Sequence, residues 1–352
     1  MNVRHRVLPR HLASVSIKTF AVVMKARGSL RRRLLLPLGL LWAGLVSGAC
    51  RPPAPELTLP VSNWPGYEYF YLAEQKELAK AQGLKLRIAE FPDPQSIVHA
   101  YLRGELQLAQ LTTVEAVDIC SRAPDRCPVV VLVLDESRGG DQVAARSEIG
   151  SLAELRGRRV GLTLSTLGPY VLSRALEQAG LSLNDVQVRN MPLEVMAQAL
   201  ARGEVDAVAF FSPYSELAYR DGVARKLFDS SAIPGEIFDV LVVSPDFYAT
   251  HADALAPLLR TWQAAHDLAR ADPAMAGALM ARREGLTPTE FREAEQGLVY
   301  WSLREQLAML APGGPLERNL LAVQQVQKAL KLVTPGSALP QVSQAPLKAA
   351  LR

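Results

Sequence analysis

Aromatic rings and carboxylates gather in this sequence at places where the chain turns. The segment Asn63-Trp64-Pro65-Gly66-Tyr67-Glu68-Tyr69-Phe70-Tyr71 holds five of the 22 aromatic residues in nine positions, with Pro-Gly to turn the backbone. Trp64, Tyr67 and Glu68 fall at that turn as candidates for a pocket wall, whereas Phe70 and Tyr71 are expected to pack inward from a helix. Thr112-Thr113-Val114-Glu115 opens a helix; a Thr cap and an acid in the first turn stabilise it by roughly 1 kcal/mol, and capping is compatible with ligand contact. Ser165-Thr166-Leu167-Gly168-Pro169-Tyr170 sets hydroxyls and free amides at another helix start, where an anion or carbonyl can bind. Phe210 and Phe211 end a strand on opposite faces, so one of them, Phe211, is expected to reach a ligand. Asp239 interrupts an apolar strand, and a buried carboxylate needs a partner from hinge hydrogen bonds or from a ligand. Rings and carboxylates together favour the binding of a positive group.

Catalytic signatures are absent: there is no Gly-x-Ser-x-Gly elbow, phosphate loop, His-Glu-x-x-His or EF-hand loop. Past the leader the three His (His99, His251, His266) are far apart in sequence, so no metal or cofactor is expected and the chain is not read as an enzyme. Cys120 and Cys127 lack a second pair or a nearby His, which argues against zinc. In an oxidising compartment they would close a short loop worth roughly 2.5 kcal/mol, and a structural disulfide is expected.

The 352 residues suffice for one large or two ordinary domains. The formal charge of +4 is misleading, because nine basic and no acidic side chains precede Cys50; the remainder has 30 basic against 35 acidic groups, a net of −5. An acidic body makes nucleic acid a poor partner. The basic block is followed by an uncharged stretch, Leu34 to Val46, and by Ser47-Gly48-Ala49, which together read as a signal peptide over residues 1–49. Translation is expected to start at Met24, which opens a signal of ordinary length. Ser47-Gly48-Ala49-Cys50 resembles a bacterial lipoprotein box, with Ser47 where Leu is commonest, so Cys50 is the candidate lipidation site. Arg51-Pro-Pro-Ala-Pro then forms a stiff spacer over residues 50–55.

The elements that must position the candidate residues alternate. Strands are predicted at 57–61, 84–91, 106–111 and 129–134, with helices at 69–82, 94–103 and 114–121 between them. After a polar break at 135–142 a second unit begins, with a short helix at 152–155. Strands follow at 160–164, 186–191, 207–211 and 226–228, and helices at 169–179, 193–201 and 216–219. A buried strand at 238–243 leads to a helix capped by Ser244-Pro245, and the chain to about Val333 reads as helical. Strands separated by helices predict an α/β fold with parallel-rich sheets. The boundaries drawn are 56–142 plus 238–333 for lobe 1, 143–237 for lobe 2, and 334–352 for a flexible tail. A ligand between such lobes sits beyond the carboxyl ends of the strands.

Trp64-Pro65-Gly66-Tyr67-Glu68 with Tyr71-Leu72-Ala73 closely resembles the solute-binding lipoproteins of ABC importers in the nitrate/taurine/alkanesulfonate group, which share the NMT1/THI5-like fold. Further matching pieces are Arg103-Gly104-Glu105, Leu111-Thr112-Thr113-x-Glu115, Asp135-x-Ser137-x-Gly139-Gly140-Asp141, Ser151 to Gly161, Gly203 to Ala207 and Asp239 to Val243, in order over roughly residues 56–330. The resemblance implies a type II periplasmic-binding fold whose two lobes close over a small molecule. It implies a monomer on the periplasmic side of a bacterial membrane, tethered by its lipid and partnered by an ABC permease and ATPase. Its binding positions carry over to Trp64, Tyr67, Glu68, Thr113, Glu115, Ser137, Asp141, Ser165 and Asp239; Tyr170 and Phe211 join them from the residue reading. Members that form the thiamine pyrimidine use a Cys-rich motif, and this chain has no such cluster. With Glu68, Glu115, Asp141 and Asp239 beside aromatics, the solute is expected to be cationic, zwitterionic or a nitrogen heterocycle, a sulfonate remaining open through the amides near Ser165. A ligand-sensing lipoprotein coupled to a membrane signalling partner, or a secreted enzyme on the same fold, are the competing classes.

Overall fold

The computed structural model describes residues 56–352 apart from Ser165, Thr166, Asp221 and Val223. The expected leader, the Met24 start, Cys50 and its spacer lie outside the described residues, as does Ser165. In chain order the strands are β1 (Glu56–Val61), β2 (Lys85–Glu90), β3 (Leu108–Thr112), β4 (Val129–Ser137), β5 (Asp141–Arg146) and β6 (Arg159–Leu162). They continue with β7 (Gln187–Asn190), β8 (Ala207–Phe211), β9 (Ala224–Asp229), β10 (Phe238–Val243), β11 (Leu298–Val299) and β12 (Gln341–Val342).

Beside the parallel pair β1–β2, these strands build two five-stranded sheets. The first runs β11-β4-β10-β3 with β12 also on β4, and the second runs β7-β6-β8-β5-β9. Both are mixed. The strands reached by a direct crossing between sheets, β5 on the way out and β10 on the way back, run antiparallel to both neighbours, because no helical crossover turns the chain round before them. β4 and β10 are buried along their whole length, which is why Val129 to Leu134 and Val240 to Val243 read as apolar runs.

Helices cover the sheets and start on conventional caps. Asp93 accepts from Ser96 N with Pro94 in the first turn, Thr112 and Glu115 form a reciprocal capping box, and Ser244 Oγ accepts from Phe247 N ahead of Pro245. The helix expected over 69–82 is instead two, Glu68–Gln75 and Leu78–Ala81, broken at Glu77 with φ 52°. Its apolar face ends at Ala73, and Glu74 to Glu77 offer nothing to bury that would carry the helix on. The helical stretch after Ser244 is likewise interrupted by β11.

Two expectations are corrected. The break over 135–142 is only Arg138–Gly140: β4 continues through Asp135 to Ser137 and β5 starts at Asp141, with Gly139 between them at φ 136°, a value that favours glycine. These polar residues are buried at the crossing, so hydropathy reads them as loop. The tail 334–352 is ordered. β12 pairs in parallel with Val129 and Val130, and the helix Ala345–Ala350 buries Pro346, Leu347 and Ala350, a single apolar stripe hidden by a polar composition. Cys120 and Cys127 are joined in a disulfide that closes the turn after helix Thr113–Arg122.

Candidate functional site

The turn after β1 is built by Gly66. A Cβ there would lie 1.9 Å from Asp135 Oδ2 and 2.9 Å from Trp64 Nε1, so only glycine lets the backbone pass this close to β4. The approach brings Trp64 Nε1 to both carboxylate oxygens of Asp135, at 3.3 Å each, and points the Tyr67 hydroxyl at Asp239 Oδ1, to which it donates. Gly66→Ala is therefore expected to lose about 1 to 3 kcal/mol of stability as Asp135 or Trp64 is displaced, read as a lowered midpoint in urea unfolding.

Register places three of these groups in one row. Asp239 on β10 is opposite Thr112 on β3 and opposite Asp135 on β4. Across the gap, Asp141 on β5 is opposite Phe211 on β8, and the Phe211 ring meets Trp64 edge-on at 5.7 Å between centroids. Asn63, Trp64, Tyr67, Pro94, Thr112 and Glu115 line one cleft with Asp141, Leu167, Phe211 and Asp239. Its empty volume is about 340 Å³, of which only about 20 Å³ can hold the centre of a water, room for about one molecule. No Lys, Arg or His is among its lining residues.

Four carboxyls are thus buried at or beside one cleft. Burial pushes Glu115 up to about 7, although its Oε2 accepts from Thr112 N at 2.9 Å. Burial likewise raises Asp141 to about 7 against a hydrogen bond with Ser137, and Asp141 Oδ2 has no partner among the described residues. Asp135 rises to about 8, again from burial, with the Trp64 and Asp239 hydrogen bonds opposing. Asp239 is pushed well above the carboxylate range by burial and then by the charge of Asp135. Among the described residues no group of three or more His, Cys, Asp or Glu has the geometry of a metal site.

The structure brings together six of the expected site residues: Trp64, Tyr67, Glu115, Asp141, Phe211 and Asp239. Four others sit elsewhere. Glu68, one residue round its helix from Tyr67, faces away and is completely buried against the Arg283 guanidinium, which also lies over the Tyr71 ring at 5.6 Å. Burial, then the charge of Glu68, raises the neighbouring Glu284. Tyr170 donates to Glu236 Oε2 at 3.0 Å, a carboxylate also held by Arg174, so it ties its helix to the return crossing. Thr113 is buried in the first turn of its helix, and its neighbour Thr112 takes the place on the cleft.

Ser137 belongs to the crossings. Its Oγ lies 2.8 Å from Ser230 Oγ and accepts from Asp141 N, while Ser230 Oγ accepts from Gly139 N. Glu136 Oε1 adds a second link by accepting from Gly235 N at 2.7 Å. The outgoing and returning segments are therefore hydrogen-bonded to one another beside Asp141.

Residue reasoning missed Asn63, Pro94, Thr112, Leu167 and Asp135. The sequence does carry a signal for Asp135: it directly follows the apolar run Val129 to Leu134, and like Asp239 it is an acid at an apolar run that needs a buried partner.

A protein-family model described as NMT1/THI5 like matches residues 64–276. The taurine-binding periplasmic protein of Escherichia coli (strain K12) is 23% identical over 260 residues, covering 71% of this chain and 79% of that protein. Among solved structures, the alkanesulfonate-binding protein SsuA of Xanthomonas axonopodis pv. citri, bound to MOPS, matches with a TM-score of 0.68 at 19% identity, over 83% of this chain and 99% of that one. The desulfurization enzyme DSZB matches with a TM-score of 0.63 at 19% identity, over 84% and 99%.

Proposed function

Because this chain belongs to the NMT1/THI5-like family and has the periplasmic-binding-protein fold, we propose that it is an extracytoplasmic solute-binding lipoprotein of an ABC importer, specific for a small amine-bearing cation or zwitterion. The observation that carries the reading is the cleft itself: Glu115, Asp141 and Asp239, backed by Asp135, face aromatic walls with no cationic lining residue. An ammonium group placed there meets carboxylates and rings at once. A sulfonate alone would meet carboxyls that repel it when ionised.

Walls from both sheets mean that a solute touches both lobes only when they meet around it, so binding shifts the population toward the closed form recognised by permease and ATPase. Cys50 supplies the lipid anchor and residues 51–55 the spacer; this part rests on the sequence around Ser47-Gly48-Ala49-Cys50.

A thermal-shift screen over amines, aminosulfonates, pyrimidines, flavins and simple alkanesulfonates tests the reading. An amine-bearing solute at 100 times its Kd is expected to stabilise the protein by about 2.7 kcal/mol. Stabilisation by alkanesulfonates with none by amines overturns the cation reading. The fold also carries catalysis, as the desulfurization enzyme illustrates; chemical conversion of a bound solute would replace transport by turnover.

A further inference from the structure

The cleft has an empty volume of about 340 Å³, and a second cavity beside it has about 650 Å³. Glu115 lines both, so the two are neighbours through its side chain. The outer cavity is walled by Val114 beside Glu115, by Leu164 and Pro169 from the second lobe, and by Leu332 beyond helix Pro315–Ala329. Of its other polar walls, Asp118 holds Arg122 at 3.1 Å and Gln327 Nε2 donates to the Val114 carbonyl at 2.9 Å, which leaves Gln327 Oε1 as a buried acceptor without a partner among the described residues. What remains for a ligand is largely apolar. Leu164 and Leu332 are 40% and 39% exposed, two of the five large apolar side chains left open among the described residues, and both stand on this cavity.

We propose that the outer cavity is an arm pocket: the solute places its head in the cleft and runs an unbranched hydrocarbon arm past Glu115, against Val114, Leu164, Pro169 and Leu332. The inference rests on the amine reading above and narrows it to amines that carry such an arm. The shared wall, Glu115, is what commits the pocket to the same molecule, since a head held at Asp239 and Asp141 has this cavity on the other side of that one side chain.

Titration calorimetry with n-alkylamines from ethylamine to octylamine tests it. Affinity is expected to rise about fourfold per methylene once the arm passes Glu115, and Leu332→Asp or Leu164→Asp, both at exposed positions, to reduce that gain to less than twofold. Equal affinity along the series overturns the arm pocket and leaves the amine reading standing, and a gain unchanged in both variants overturns its location. If amines fail but alkanesulfonates of the same lengths show the gain and its loss in the variants, the pocket stands and the head reading falls. Binding by neither series overturns both.

Discussion

Replacing Asp239 by Asn is expected to weaken binding of a cationic solute roughly 10- to 150-fold while leaving the solute-free protein at least as stable as before. The loss follows from removing one charged hydrogen bond to the ammonium group, worth about 1.5 to 3 kcal/mol. The stability follows from the neighbours. Asp239 is buried opposite Asp135, and two facing buried carboxyls cannot both ionise without cost. An amide of the same shape keeps an oxygen for the Tyr67 hydroxyl and offers a hydrogen to Asp135 without any charge to desolvate. Calorimetric titration together with thermal unfolding separates the two effects. Unchanged affinity would remove Asp239 from the binding site, and a large drop in the unfolding midpoint would make it structural.

Affinity for a cation is expected to rise as pH increases from about 6 to 8.5, by up to about tenfold per pH unit for each proton released. Glu115 and Asp141, raised to about 7, and Asp135, raised to about 8, are neutral at the acidic end of this window and must ionise to hold the ligand. Stability of the solute-free protein runs the other way. A carboxyl raised in the folded state contributes stability that is fully present below its unfolded value near 4 and is lost as pH rises through 7 to 8. The solute-free unfolding midpoint should therefore fall between pH 5 and 8.5, and saturating solute should flatten the fall. Glu68, raised to about 7 by burial against the opposing Arg283, and Glu284 join the stability term only, because they face Arg283 instead of the cleft. Calorimetry in two buffers of different ionisation enthalpy counts the protons released. A pH-independent affinity would mean that the carboxyls do not change state on binding.

What could be read from the sequence follows the strength of each local signal. β8, β10 and helix Leu193–Ala201 are where the apolar runs place them, because the two strands are buried along nearly their whole length and the helix buries Leu193, Met196, Ala199 and Leu200 on one face. β5 and the end of β4 were hidden for the opposite reason: Asp135, Glu136, Ser137 and Asp141 are polar and buried, and no hydropathy pattern distinguishes that from a loop. At the site, Trp64, Tyr67 and Asp239 were legible because turn chemistry and a lone acid in an apolar strand are local facts. Glu68 and Tyr170 were not, since the direction in which a helix presents a side chain depends on partners such as Arg283 and Glu236 that lie far along the chain. Thr112 and Thr113 differ by one position at a strand-to-helix junction, where a single residue decides which side chain faces the cleft.

The strand that carries Asp135 has β10 along one edge; its other edge is met near Glu136 and Ser137 by β11 and near Val129 and Val130 by β12. Two of the last twelve residues thus finish a sheet begun in the first half of the chain. Until synthesis reaches them, Val129 and Val130 keep the amides and carbonyls of that edge open to any passing strand, a template for aggregation. The end of β4 beside the cleft is closed by β11 and its far end by β12, so the strand that carries Asp135 is shielded from mispairing only after segments far along the chain have been made.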